Sequence, residues 1–323
     1  MKVDQAFDAL VSNVKKANGE AKPKHFELVP FERIKFDGAE EWLLKGLLPK
    51  QGVAAFFGAK SSFKSFAAQD LALHVACGWN WAGRRVTQVS VVYIAVEGAG
   101  GLRKRKAGFE LHHAEHLPEN VPFHLIAAAP NLGQGTADLD ALAAAMTASG
   151  VKPDMIVIDT LAQPLGSAEE NGAGMVQLIA NAQALSEKFN CLVLLIHHAG
   201  LTETDRLRGH SSLGCALDAL VFFEPKEGAL SARLTVQKLK EEADRNVALE
   251  LELLRIVIGK DHDGDEISTL VVDTVRDGKA AEPAPKKSVS QTQAICDEFV
   301  RVYHHLADGK PRLIGPRWTV RCR

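Results

Sequence analysis

Between residues 50 and 200, short apolar, β-branched runs alternate with longer alanine-rich stretches, and this alternation restricts the possible folds more than any other feature. The apolar runs occupy residues 53–57, 89–96, 123–128, 155–158 and 191–196. The stretches with helical periodicity occupy residues 66–76, 137–149 and 174–189. A parallel strand has helices on both faces, so its sequence is a continuous apolar run. The pattern therefore predicts an α/β core built on a mostly parallel sheet covered by helices.

After residue 217 the pattern changes to consecutive strands separated by turn signals. Strands are predicted over residues 219–223, 232–239, 247–258 and 268–275, which indicates an antiparallel extension of the parallel sheet. Between the last two strands, residues 261–266 resemble the start of a calcium loop. The sixth position of that loop is not Gly, and Val272 replaces the bidentate Glu at the twelfth. We interpret this segment as an acidic hairpin turn.

The charge is divided unevenly along the 323 residues. The formal net charge is -2, but residues 279–323 contain nine Lys or Arg against four Asp or Glu, which leaves -7 for the rest. An Ala, Pro and Lys stretch opens this basic segment and is typical of a linker. We predict an N-terminal arm over residues 1–40, a core over 41–278, and a linker with a basic tail over 279–323. A uniformly basic nucleic-acid-binding surface is excluded.

The cysteines and the hydropathy predict a cytoplasmic protein that is not embedded in a membrane. The five cysteines include no CxxC pair, so a disulfide framework or a structural zinc site formed by them is not expected. The N-terminus has no apolar signal core, and the apolar runs are far shorter than the ~20 residues that span a bilayer.

The strongest local motif follows the first apolar run and precedes a predicted helix. It resembles the Walker A pattern GxxxxGK[ST], a loop whose backbone N–H groups and helix N-terminus bind phosphates. Lys64 would reach the β and γ phosphates of ATP, and Ser65 would ligate Mg²⁺. Phe63 replaces the second Gly, and it is costly there if the position needs a positive φ; a loop with negative φ would accept it. The alternative is a Lys/Ser turn without a ligand. The proposed nucleotide-binding residues are Gly58, Ala59, Lys60, Ser61, Ser62, Phe63, Lys64, Ser65 and Phe66.

Polar residues end three other apolar runs. Asp159 ends a Walker B-like strand and would lie near the Mg²⁺ beside Ser65, directly or through water. Glu97 follows the strand after the phosphate loop and is the candidate catalytic base. His197 and His198 end a further strand and would sense the γ-phosphate. Each has a plainer alternative: a turn cap, a surface acid or a structural histidine.

In this order, these features resemble the RecA-like ATPase core, and more closely the RepA-like hexameric replicative helicases of plasmids and phages. The resemblance covers about residues 41–276. Its matching segments are 42–49, 58–66 with 70–73, 83–86, 91–98, 197–198 and 208–213. It implies a RecA-like P-loop NTPase fold, extended by C-terminal antiparallel strands, that binds ATP and Mg²⁺ between the subunits of a homo-oligomeric ring.

The same resemblance implies a cationic finger from the neighbouring subunit and loops that bind single-stranded DNA. Lys238 and Lys240 occupy the place of the K-x-R finger element, with Arg208 or Arg245 as alternatives. The two lysines are otherwise an exposed strand face. DNA would contact the loops after the strands that end in Asp159 and His198. The residues available for this contact are Arg206, Arg208 and His210.

Three functions remain open on the sequence. The first is a ring-shaped DNA helicase of a mobile element, with a primase or a replication initiator as possible partner. The second is an ATPase of the same fold that acts as a recombination, loading or regulatory switch without unwinding. The third is a module that binds nucleotide without hydrolysing it, which Phe63 and the missing arginine finger would favour.

Overall fold

The computed structural model describes residues 28–34, 42–96, 99–161, 173–198, 216–240 and 247–278. Residues 1–40 and 41–323 form separate compact units. In the first unit, the described part contains one 3-10 helix, Phe31–Arg33.

The second unit contains eleven strands and four α-helices within its described residues. In chain order the elements are β1 (Trp42–Leu44), β2 (Leu48–Pro49), β3 (Gly52–Gly58), α1 (Lys64–Cys77), β4 (Val91–Ala95), α2 (Ala99–His112), β5 (Phe123–Ile126), α3 (Ala137–Ala148), β6 (Met155–Asp159), α4 (Ala173–Phe189), β7 (Leu192–His198), β8 (Ala219–Pro225), β9 (Ser231–Leu239), β10 (Ala248–Lys260) and β11 (Glu266–Asp277).

Nine of the strands form one sheet in the order β11-β10-β9-β8-β3-β7-β6-β4-β5, and β1 pairs with β2. Strands β8, β3, β7, β6, β4 and β5 are parallel, whereas β9, β10 and β11 continue the sheet in antiparallel pairs. The predicted α/β architecture with an antiparallel extension is therefore confirmed. Because the parallel strands share one direction, the carboxyl ends of β3, β4, β6 and β7 meet at one edge, where open α/β sheets bind their ligands.

Two apolar clusters cover the two faces of the sheet. In β3, Ala54 and Phe56 belong to the cluster on the α1 face, and Val53, Ala55 and Phe57 belong to the cluster on the face of α3 and α4. This division explains why the strand is apolar at every position: alternate side chains point to opposite faces, and both faces are buried. Phe56 packs on Phe223 of the neighbouring β8, with ring centroids 5.0 Å apart.

The acidic segment between β10 and β11 is a hairpin turn, as predicted. Asp261 Oδ1 accepts hydrogen bonds from the backbone N–H groups of Asp263 and Asp265, and Gly264 has a φ of 89°. This carboxylate oxygen therefore bonds the backbone of its own turn, as the side chain of a turn aspartate commonly does.

Within the described ranges, every helix is too short or too polar to cross a membrane.

Candidate functional site

The loop between β3 and α1 begins where the backbones of two strands come very close. Gly58 ends β3 beside Phe223 of β8, and a Cβ added at Gly58 would lie 2.3 Å from the Phe223 carbonyl oxygen. No side chain larger than hydrogen fits there unless the strands separate. The first glycine of the Walker A pattern is therefore required by packing as well as by any ligand.

Lys64 is the first residue of α1, and its side chain reaches back to this loop. Its side chain is 4% exposed, and Nζ donates to the carbonyl oxygens of Gly58 at 3.0 Å and Ala59 at 2.6 Å and to Ser62 Oγ at 3.0 Å. Burial lowers the pKa of Lys64 to about 8, while the nearby Asp159 carboxylate opposes this shift. The ammonium therefore stays mainly protonated at pH 7, surrounded by the loop that it organises.

Phe63 adopts the positive φ that is costly for Phe, and not the negative φ that the sequence left open as an alternative. It has φ 63° and ψ 14°, in the left-handed region, immediately before α1. Its ring packs against Phe66 at a centroid distance of 6.2 Å, and Phe66 lies under the guanidinium of Arg105 at 5.1 Å. The residue at the position of the motif's second Gly is thus left-handed in this loop, and the aromatic contact offsets part of the steric cost of Phe there.

We expect the Phe63→Gly variant to be more stable than the Phe63→Ala variant by about 1 kcal/mol. Both variants lose the aromatic packing, but only Ala retains a Cβ in the left-handed region. Urea unfolding of the two variants measures the difference. A Phe63→Ala protein as stable as Phe63→Gly would show that this backbone conformation carries no steric cost.

Asp159 accepts hydrogen bonds on both carboxylate oxygens at the end of β6. Ser65 Oγ donates to Oδ1 at 2.7 Å, and the Tyr93 hydroxyl donates to Oδ2 at 2.7 Å. Asp159 is 5% exposed. A buried carboxylate beside a hydroxyl oxygen offers the oxygen ligands that a hard divalent cation prefers. The structure thus brings Ser65 and Asp159 together, as the two predicted metal-binding residues require.

Tyr93 is a site residue that the sequence interpretation missed. It is fully buried in β4, and burial together with Asp159 raises the pKa of its hydroxyl well above the ordinary value. The hydroxyl therefore stays protonated and acts as a hydrogen-bond donor that orients the carboxylate. The available signal was a polar group in the otherwise apolar strand β4.

Replacing Tyr93 with Phe should lower the free energy of unfolding by about 1.5–3 kcal/mol, because a buried carboxylate loses a donor. Urea unfolding measures this loss. The Tyr93→Leu variant serves as a comparison. It removes the ring packing as well as the hydroxyl, so it should lower the free energy of unfolding by more than Tyr93→Phe does. A Phe variant with wild-type stability would mean that water replaces the hydroxyl.

His197 and His198 end β7, which lies between the loop strand β3 and the Asp159 strand β6. In the strand register Phe57 is opposite His197 and Gly58 is opposite His198, so both histidines are placed at the loop. Burial lowers the pKa of His198, and Lys64, His197 and Lys60 lower it further. His198 Nδ1 and Thr160 Oγ1 are buried and accept or donate no hydrogen bond among the described residues. These two atoms are available to a ligand or to the loops that follow.

The candidate finger residue Lys240 lies far from this loop in the same chain. Lys240 follows β9 and pairs with Asp218 at 3.3 Å, and Asp218 Oδ2 accepts from the Val53 N–H at 2.9 Å. Val53 is near the start of β3 and the loop begins at Gly58, which separates the two points by about 17 Å. Lys238 lies opposite Leu220 of β8, which pairs with Ala55 in the middle of β3. Lys240 is therefore the finger candidate that lies at the far end of β3 from its own chain's loop.

Several predicted site residues fall outside the described residues. They are Glu97, Arg206, Arg208, His210 and the alternative finger Arg245. Their roles as base, finger and DNA contacts stay predictions.

The fold and this loop define a RecA-like P-loop ATPase architecture, in which a phosphate loop and a carboxylate strand flank a third strand. The AAA domain family matches residues 20–203, more than half of the chain. The chain therefore belongs to the AAA domain family.

Among solved structures, a KaiC-like protein from the hyperthermophilic archaeon Pyrococcus horikoshii OT3 is similar, with 16% sequence identity and a TM-score of 0.45. The match covers 71% of this chain and 93% of the archaeal one. A comparison with curated proteins finds no match.

Proposed function

We propose that this chain hydrolyses Mg-ATP and uses the energy to move along single-stranded DNA as a ring-shaped replicative helicase. One observation carries the ATPase part. The Ser65 hydroxyl and the Asp159 carboxylate, from distant parts of the sequence, lie 2.7 Å apart beside the loop that contains Lys64. A hydroxyl and a carboxylate at this position are the ligands with which P-loop ATPases hold Mg²⁺.

Each residue of the site then has a specific task. Lys64 exchanges its loop carbonyl partners for phosphate oxygens, which are stronger acceptors for an ammonium. Ser65 and Asp159 hold Mg²⁺, directly or through water, and the ion when bound neutralises charge on the phosphates. Glu97 polarises the attacking water. His197 and His198, at the end of the intervening strand, respond to the γ-phosphate.

The ring part of the proposal is supported by the distance between the finger candidate Lys240 and the loop. Because Lys240 lies at the opposite end of β3 from its own loop, a finger role for Lys240 requires a neighbouring subunit. A ring of six copies would supply each ATP site with such a neighbour. Arg208 and Arg245 are the alternative fingers, and an arginine would offer the planar fork that lysine lacks.

The DNA part is supported by where the candidate loops start. The segments after β6 and β7 start at Asp159 and His198, at the same edge of the sheet as the phosphate loop. Arg206, Arg208 and His210 in the second segment would contact the sugar–phosphate backbone, repeated around the ring. The proposed setting is cytoplasmic replication of plasmid or phage DNA, with a primase or an initiator as loading partner.

The decisive measurement is ATP turnover with and without single-stranded DNA, followed by strand displacement on a forked duplex. A helicase shows turnover stimulated by DNA, displaces the strand, and sediments as a ring with ATP. Stimulated turnover without displacement would favour the switch or loading factor. Binding of Mg-ATP without turnover would contradict both and leave a binding module. The Arg206→Ala/His210→Ala variant should keep basal turnover and lose most of the stimulation, because neither residue is a finger candidate.

A further inference from the structure

A second polar cluster lies between the C-terminal ends of α1 and α2, away from the phosphate loop. Asp70 and His74 are one turn apart on α1, and His113 directly follows α2. The three side chains each present one potential metal-ligand atom, and these atoms all lie within 4.8 Å of one another. His74 follows Lys64 by ten residues, which places the cluster roughly 15 Å along α1 from the phosphate loop.

The hydrogen bonds around Asp70 and His74 orient both side chains toward each other. His74 Nδ1 lies 3.0 Å from the Asn80 carbonyl oxygen, so Nδ1 must carry a proton and donate it. In the neutral ring, Nε2 then presents a lone pair, and this atom lies 3.7 Å from Asp70 Oδ1. The other oxygen of Asp70 accepts from Trp81 Nε1 at 2.8 Å. A lone pair and a carboxylate oxygen that face each other repel unless a proton or a metal cation lies between them.

Carbonyl and indole partners of this kind are the outer contacts that orient metal ligands in proteins. His74 has the carbonyl partner on the ring nitrogen that faces away from Asp70. Asp70 has the indole partner on the oxygen that faces away from His74. The inward-facing atoms, Asp70 Oδ1 and His74 Nε2, are thereby left for a shared ligand.

His113 completes the cluster from the second helix. Its Nε2 is buried and has no hydrogen-bond partner among the described residues. Phe109 and Trp79 enclose the ring at centroid distances of 4.4 Å and 5.2 Å. The His113 ring also lies 5.6 Å from the His74 ring, centroid to centroid, which brings the second helix to the other two side chains.

We propose that Asp70, His74 and His113 form a zinc-binding site that links the C-terminal end of α1 to that of α2. Two imidazoles and one carboxylate form a mixed nitrogen and oxygen set that suits Zn²⁺, with water as the fourth ligand. Tetrahedral zinc holds its donors about 3.4 Å apart, so the three ligand atoms need to approach one another by at most about 1.4 Å. Mg²⁺ prefers oxygen ligands and does not compete well for imidazole. The two helices already touch here, since the His74 ring of α1 lies 5.9 Å from the Phe109 ring of α2, centroid to centroid.

The test is titration of the full, tag-free chain with Zn²⁺ as the only titrant. The buffer contains excess Mg²⁺, which occupies oxygen-rich sites. Calorimetry should give a 1:1 site with micromolar or tighter affinity, and the His74→Ala and His113→Ala variants should each weaken it by at least about 100-fold. The matched control is His262→Ala, an exposed histidine on the β10–β11 turn, which should bind like the wild type. Co²⁺ should produce the visible absorption of a four-coordinate site in the wild type and in the control only.

Circular dichroism verifies that each variant is folded. If His74→Ala is not folded, the conservative His113→Gln variant at the end of α2 carries the same expectation. Wild-type Zn²⁺ affinity in the folded His74 or His113 variants would overturn the proposal, as would the absence of micromolar Zn²⁺ binding by the wild type. Neither result depends on ATP hydrolysis or on DNA, so this site can fail without the proposed function failing.

Discussion

Replacing Lys64 with alanine is expected to lower kcat for ATP hydrolysis by about 100- to 1000-fold. Lys64 is the buried cation of the loop, and its Nζ lies within hydrogen-bond distance of two loop carbonyls and Ser62 Oγ. Removing it leaves the charge that develops on the phosphates without its nearest fixed counter-charge. Steady-state turnover at saturating ATP and Mg²⁺ measures the loss.

One further Lys64 variant separates charge from packing in this experiment, and a variant of a remote lysine is the control. Lys64→Met retains the apolar stem and loses only the ammonium, so it should lose as much activity as Lys64→Ala. Lys152→Ala removes an exposed lysine just before β6, far from the loop edge, and should turn over ATP like the wild type. Near-normal turnover in both Lys64 variants would contradict the role of this loop in hydrolysis.

The sequence was sufficient to predict the parallel strands because their burial on both faces leaves a clear signal. Met155–Asp159 and Leu192–His198 are apolar along almost their whole length, and their polar residues come at the end. The helix α1 begins at Lys64, two residues before the predicted start. The difference follows from Phe63, whose left-handed conformation fixes the point where helical hydrogen bonding begins: its carbonyl accepts from the Ala67 N–H at 3.0 Å.

Helix α2 was only partly predictable, since its segment contains three glycines and many charged residues. The structure gives a physical reason for one of them. A Cβ at Gly108 would lie 2.5 Å from Thr269 Cγ2 and 2.8 Å from Val271 Cγ1 of β11, so a side chain there would push the helix off the sheet. This contact joins residues about 160 positions apart, and no local pattern in the sequence reports it.

The site was predictable as separate residues but not as an arrangement. Lys64, Ser65 and Asp159 were chosen because of the motifs in which they occur. In the sheet, β7 lies between β3, which leads to Lys64 and Ser65, and β6, which ends in Asp159. This arrangement depends on the order of the strands in the sheet, which differs from their order in the chain. The hydrogen bond from Tyr93 to Asp159 depends on the same order, because it requires β4 and β6 to be neighbours.

Changing Asp159 to Asn should lower kcat for ATP hydrolysis by at least about 100-fold and raise the Mg²⁺ concentration needed for half-maximal turnover. Asparagine has nearly the same shape, and its one amide oxygen can still accept from Ser65 or Tyr93. It lacks the negative charge, and the contribution of a correctly held divalent ion to phosphate charge stabilisation is several kcal/mol. Turnover measured across a range of Mg²⁺ concentrations gives both values.

The control for this variant lies at the other end of the same strand. Asp154 precedes β6 and accepts from the Ser90 N–H at 3.2 Å, remote from the loop edge. Asp154→Asn should retain wild-type turnover and the wild-type dependence on Mg²⁺. If Asp159→Asn is folded and also retains both, the Ser65–Asp159 pair is not the metal site. If Asp159→Asn loses turnover but Mg²⁺ dependence is unchanged, Asp159 acts by positioning Ser65 and Tyr93 rather than by binding the ion.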